Sequence, residues 1–534
     1  MKVKDGWWLD KDIVVSKEDF DVAQLMSLIR DRIYVQTSSN RRFIVSWLNT
    51  MLTTPRFTIL PYLSEVMDGL FKMLGDAQPG VRDVTETVLG QFLLGVKKAP
   101  STLQNADDLS TIINVLVVHA HENEPPLARK LSLIWLDELT RLLTTKMFPH
   151  LAAFLTAALP SLENDNLKAR DVNSAMLSLV SSDARLDIDT AMDVLLRHIA
   201  HDKRETRIAV LNWIHHLHGT HPAELFSHME RIFPILLATL SDTSDEVLLL
   251  DLQLLSAVCQ QRQEALTMDA LHLDAESKKQ LAGTVSPFLV KFSMSLLQMF
   301  RDDRSLLNER GVLIIRQLCL LLSPSHIYRA LSVLIAREEQ VSFSKQVVSL
   351  LNGVLLTSTE LFALRDSLRR LEDEDSRSLF PLLYRCWAIR PVSLLGLCLL
   401  SQSYAHAAQL VRHLSQVDVT VDILVEIDRL VNLLESPILA FVRLDLLDAR
   451  HQRALSTVLS ALLMLLPQSE AFTTLHRRLQ TVPALTVIGD EEPMPVDRVN
   501  FGPLKEVFLQ QLKRQHEEVR REHREMLLES LQIS

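Results

Sequence analysis

The chain has 534 residues, 47% of them hydrophobic but only 6% aromatic, with 13 glycines and a formal charge of -10 from 56 Lys plus Arg against 66 Asp plus Glu. So few glycines leave too few left-handed turn positions for a large β-protein or a Gly-rich phosphate loop, and the acidic balance offers no basic field to a nucleic-acid backbone. A core of Leu, Val, Ala and Ile suits repeated helix-on-helix packing instead.

An internal repeat comes first in chain order. RRFIVSWLNTM around Trp47, ARKLSLIWLDELT around Trp135 and TRIAVLNWIHHLH around Trp213 each carry an arginine six residues upstream: Arg41, Arg129 and Arg207. The tryptophans stand 88 and 78 residues apart, about twice a HEAT unit of roughly 40 to 47 residues, so each marks every second repeat. The register holds downstream. Twenty-nine residues after each tryptophan come Asp76, Asn164 and Asp242, and five further on Val81, Ala169 and Val247. The acid or amide is read as a cap for the following helix and the apolar residue as core. Arg82 and Arg170, which follow, are read as ties between adjacent repeats, with Leu248 breaking the pattern in the third copy. Leu60, Leu63, Val66, Leu70 and Leu74, faced by Val81, Val84, Val88 and Phe92, give each helix of a pair one apolar stripe. Such a pair cannot cover its own apolar face, so neighbours stack, and the stack offers a long surface to other proteins.

The register fades beyond Cys259, and residues 260–286 are polar enough to read as a linker. From 287 to 482 longer apolar runs return, such as LIIRQLCLLL (313–322) and LLGLCLLSQSYAHAAQLV (394–411). Helices of that kind are buried on more than one side, as in a compact helical domain or an oligomer interface. Residues 483–534 read as an acidic, Pro-containing loop through TVIGDEEPMPVDRVNFGP (486–503), then a charged helix. Leu512, Val519 and Met526 form its heptad stripe, which Gln515 and Glu522 keep from being a stable coiled coil.

The chemistry-bearing residues have structural readings. His215, His216, His218 and His221 fit a polar helix end running into a Gly219 loop better than a tetrahedral metal site. His119 and His121, followed by Glu122, lack the spacing that sets two ligands on one helical face and are read as a helix end. The acidic run Glu372 to Asp375 reads as a solvated loop. Trp47, Trp135 and Trp213 read as core, as do Cys259, Cys319, Cys386 and Cys398, whose wide separation also fits a reducing cytosol. Walker-type, dinucleotide-binding and nucleophile-elbow glycine motifs are absent, and the apolar runs fall short of the roughly 18 residues of a spanning helix. No catalytic, cofactor or metal residue is assigned.

Several segments carry a family resemblance: RGVLIIRQLCLLLSPSHIY (310–328), LLTSTELFALRDSL (355–368), LYRCWAIRPVSLLGLCLLSQSYAHA (383–407) and LLMLLPQSEAF (462–472). They resemble the C-terminal domain of the vacuole-morphology HEAT-repeat scaffolds, and FPILLATLSDTSDEVLLLDLQLLS (233–256) extends the likeness into the repeats. The resemblance implies an all-α HEAT/armadillo-type solenoid (1–259), the linker (260–286) and a helical C-terminal domain (287–482) that binds a phosphatase and oligomerises. It further implies a non-enzymatic scaffold bridging the PIKfyve-type phosphatidylinositol 3-phosphate 5-kinase and the Sac-type 5-phosphatase. That complex makes and turns over phosphatidylinositol 3,5-bisphosphate, so the chain is expected in the cytoplasm and peripherally on endosome or vacuole membranes. Members of the family carry further repeats before the point where this chain begins, so it reads as an N-terminally short copy in which kinase binding is the less secured contact. The alternative from the fold alone is a helical-repeat adaptor or transport factor holding peptide cargo in its groove.

Overall fold

A computed structural model describes residues 21–54, 57–100, 105–121, 123–162, 167–181, 186–260, 271, 273–414, 420–482 and 499–532. They are helical with connecting turns, and no strand occurs among them. The chain divides into two compact units, Met1–Leu254 and Leu255–Ser534.

In the first unit helices come in pairs whose first members begin about 40 residues apart. The pairs are Val22–Arg32 with Ser38–Thr53, Leu63–Met73 with Pro79–Lys98, Ala106–His119 with Pro126–Leu143, Leu151–Ala158 with Leu167–Leu179, and Ile188–His198 with Arg204–Thr220. Met229–Thr239 and Asp245–Gln260 follow in the same order. First helices stack on first helices, as Leu63–Met73 on Ala106–His119, and second on second, as Ser38–Thr53 on Pro79–Lys98 and Pro126–Leu143 on Leu167–Leu179. Trp47, Trp135 and Trp213 fall on alternate second helices, the doubled period expected from the sequence. Proline opens several helices, among them Pro79, Pro126, Pro287, Pro324 and Pro391, where its missing N–H has no helical partner to lose and its fixed φ suits the first turn. Each stripe then closes against the next pair. Leu63, Val66, Leu70 and Leu74 are buried with Val81, Val88 and Phe92, while Leu60 and Val84 sit at the half-buried rim.

The second unit keeps the same rule. Pro287–Asp302 packs on Pro324–Ile335 and that on Glu374–Trp387. Arg304–Leu321, Val341–Thr357, Pro391–Leu400, Val421–Glu435 and Glu470–Thr481 form the second row. Short helices such as Phe362–Arg370 and Ala440–Asp445 fill between the rows. The consequence is deeper burial: all ten residues of Pro391–Leu400 are buried, Ser393 and Gly396 included, the many-sided burial that the long apolar runs imply.

Two boundaries differ from the sequence reading. Within 260–286, Ala275–Leu281 is a helix with Ser277 and Leu281 buried, while 261–270 lie outside the described residues. The terminal helix spans Phe501–Gln532 and so begins inside the stretch read as loop. Gly502 and Pro503 look like breakers in a sequence, but both are tolerated in a first helical turn.

Candidate functional site

The polar residues of the repeat register meet one another across pairs. Arg41 Nη1 lies 2.9 Å from Asp76 Oδ2, and Arg207 Nε lies 2.7 Å from Asp242 Oδ2. The arginine six residues before a tryptophan therefore binds the aspartate twenty-nine after it. Asp76 also accepts from the Gln78 N–H and the Ser38 hydroxyl, at 2.9 and 3.0 Å; Asp242 accepts from the Ser244 N–H at 2.8 Å. The aspartate thus fixes the turn before the helix rather than capping its first turn, and the tie between repeats runs through Arg41 and Arg207. Arg82, which the sequence suggested for that role, makes no ion pair among the described residues. Asn164, the middle copy, lies outside them. Burial opposes the charge on Asp76, but these donors outweigh it and hold its carboxyl below the ordinary value.

Two of the three register tryptophans are core, and Trp213 carries a polar tie that the motif did not reveal. Trp135 and Trp213 are fully buried and Trp47 half-buried. The Trp213 indole N–H donates to Asn173 Oδ1 of the preceding second helix at 2.8 Å. In the second unit Trp387 donates likewise to Asn352 Oδ1 at 3.0 Å. A buried indole needs such an acceptor, and Asn173 and Asn352 could have been sought one repeat upstream.

The histidines are dispersed into packing roles. His215 is exposed, His216 Nε2 lies 2.8 Å from the Val180 carbonyl oxygen, and His218 and His221 are buried. Gly219 continues their helix rather than opening a loop, since the helix runs to Thr220. His119 ends its helix, but its buried ring stacks on Phe71 at 5.3 Å and lies 3.1 Å from both Asp68 Oδ1 and Glu124 Oε2. Glu122 lies outside the described residues. No group of three or more His, Cys, Asp or Glu among those residues is placed to hold a metal ion. The acidic run is only partly loop: Glu374 and Asp375 open the helix Glu374–Trp387, where the helix dipole favours acids. Asp375 receives the buried Arg329 at 2.6 Å. All four cysteines are buried, and burial pushes the Cys259 and Cys319 thiols up to about 12, which keeps them protonated and weakly nucleophilic.

The terminal helix docks on its own unit. Phe501 stacks on His406 at 4.1 Å and meets Phe380 edge-on at 6.0 Å. His406 Nε2 is hydrogen-bonded to the Tyr384 hydroxyl at 2.8 Å. Burial pushes this histidine down to about 4, so it is neutral at physiological pH. Further along, Lys505 Nζ donates to Gln409 at 3.2 Å and Gln515 donates to the Ile389 carbonyl at 2.7 Å. The docked face is thus Phe501, Leu504, Phe508 and Gln515. Of the heptad stripe, the side chains of Val519 and Met526 lie outside the described residues.

The fold and these contacts define an all-helical HEAT-type repeat protein whose chemistry-bearing side chains bind its own elements together. Residues 304–482 match the family model described as vacuolar protein 14 C-terminal Fig4p binding, and residues 124–273 match one described as stalled ribosome sensor GCN1-like, HEAT repeats. The VAC14 homolog of Arabidopsis thaliana is 33% identical over 89% of this chain and 61% of that protein. Vacuole morphology and inheritance protein 14 of Saccharomyces cerevisiae is 23% identical over 87% and 62%. The chain is similar to these Vac14 proteins, and it spans about three-fifths of their length. A crystal structure of importin beta aligns with 92% of this chain and 82% of its own at 10% identity, with a TM-score of 0.26, too slight a likeness to carry an argument. Among the described residues no single helix is long and apolar enough to cross a membrane.

Proposed function

We propose that the chain is a non-enzymatic scaffold that holds a Sac-type phosphoinositide 5-phosphatase through the helical domain at 287–482, with the repeats of 1–259 as its other arm and residues 260–286 as the linker. The observation that carries this is the match of residues 304–482 to a family model described by Fig4p binding. In this reading the assembly makes and turns over phosphatidylinositol 3,5-bisphosphate on endosomal and vacuolar membranes. The chain reaches those membranes peripherally, associates with itself, and meets the PIKfyve-type kinase as a further partner. Buried cysteines, histidines spent on packing and stacked helix pairs support a geometric rather than a catalytic role. The purified chain is expected to retain the purified phosphatase on an affinity resin and, alone, to leave phosphatidylinositol 3,5-bisphosphate unchanged. Turnover by the chain alone, or no retention by a folded chain, contradicts the proposal.

A further inference from the structure

The terminal helix has 32 residues, about 48 Å at 1.5 Å per residue. Among its described side chains only Phe501, Leu504 and Phe508 are buried. Pro391–Leu400, by contrast, buries every residue. The three anchors follow an i, i+3, i+7 spacing, one stripe of an amphipathic helix. Phe501, at the head of the stripe, seats on a surface formed by Phe380 and Tyr384 of Glu374–Trp387 and by His406 of Tyr404–Leu414.

The packing at the head of the helix is incomplete. A cleft of about 410 Å³ opens there, lined by His406, Gln409, Asn500 and Lys505 among others. Below it the surface is aromatic and prearranged: the Tyr384–His406 bond holds the imidazole face toward Phe501. Segments secured by few buried side chains open more readily than those buried all round, so this helix lifts more readily than Pro391–Leu400. Lifting it uncovers aromatic side chains of the kind that dominate protein interfaces.

The seated surface and the helix fall on different sides of a boundary. Phe380, Tyr384 and His406 lie within the matched residues 304–482, whereas the helix that covers them lies beyond. We propose that the terminal helix is a strap that occupies this groove in cis and competes with the phosphatase for it, so that partner binding and strap release are coupled. The proposal rests on the scaffold reading above, and its ligand is the Sac-type phosphatase.

Two measurements on the full chain test it, comparing wild type with Phe501→Asp/Phe508→Asp and with the milder Phe501→Ala. In hydrogen exchange, the amides of 501–515 open faster than those of Pro391–Leu400 in wild type and faster again in both variants, with Pro391–Leu400 unchanged. In binding, the double variant takes up purified phosphatase roughly tenfold or more tightly, the gain expected when a state closed at least nine-tenths of the time is forced open. Phe501→Ala falls between. Equal or weaker binding by a double variant that keeps Pro391–Leu400 protected overturns the strap and makes the helix a fixed part of the unit. So does wild-type protection of 501–515 equal to that of Pro391–Leu400. Binding by neither wild type nor variant overturns the scaffold reading as well, a result distinct from wild-type binding that the variants leave unchanged.

Discussion

At the scale of single residues the register was legible but its pairing was not. The spacings that place Arg41, Trp47 and Asp76, then Arg207, Trp213 and Asp242, are plain in the sequence. Which arginine meets the aspartate depends on where the first turn of one helix faces the loop before the next, and spacing does not supply that direction. Arg82 stands closer in sequence to Asp76, yet Arg41 binds it. The same repeat leaves one costly residue. Asp251 is fully buried, and neither carboxylate oxygen has a hydrogen-bond partner among the described residues. Burial first, and the nearby Asp242 carboxylate second, push its carboxyl well above the ordinary value. Raised in the fold, this group lends its full stability below the unfolded value of roughly 4 and loses it as pH climbs toward the folded value, because only the unfolded chain releases the proton readily. Asp251→Asn removes that slope. Denaturant midpoints at pH 4, 5.5 and 7 are expected to show a widening advantage for the variant with rising pH; a constant difference contradicts an uncharged Asp251.

At the scale of elements, existence and pairing were read more securely than ends. Apolar stripes mark Leu63–Met73 and Pro79–Lys98 because each must face a neighbour along its whole length. Ends are decided by local chemistry that the composition disguises: Gly502 and Pro503 look like a loop but occupy a first helical turn, and Asp375 looks like solvated charge but neutralises a buried arginine. Helix Pro391–Leu400 shows what its long apolar run meant, burial on every side. Leu397→Ala is accordingly expected to cost about 2 to 5 kcal/mol in equilibrium unfolding, the range for a core leucine that leaves a cavity. Met464→Ala, at a residue 83% exposed, serves as the control and leaves the midpoint where it was. Equal effects at the two positions contradict this assignment of the core.

At the scale of the whole molecule, each unit is an array in which a helix pair touches chiefly the pair before and the pair after. That architecture offers extended surface, and the sequence foretold it through its period and its scarcity of glycine. The second unit was harder to read: no tryptophan register runs through it, and its helices, stacked pair on pair, are buried on more sides, as the long apolar runs imply. The proposed phosphatase binding rests on the family resemblance, and the proposed self-association on that resemblance and on the long apolar runs of the second unit, since neither leaves a spacing rule in one chain. The most direct test of the scaffold account is the mass of the purified chain in solution, by light scattering, with and without an equal amount of Sac-type phosphatase. The account predicts a self-associated species for the chain alone and a heavier species of fixed proportions with the phosphatase. A folded chain that stays monomeric and elutes apart from the phosphatase would contradict it.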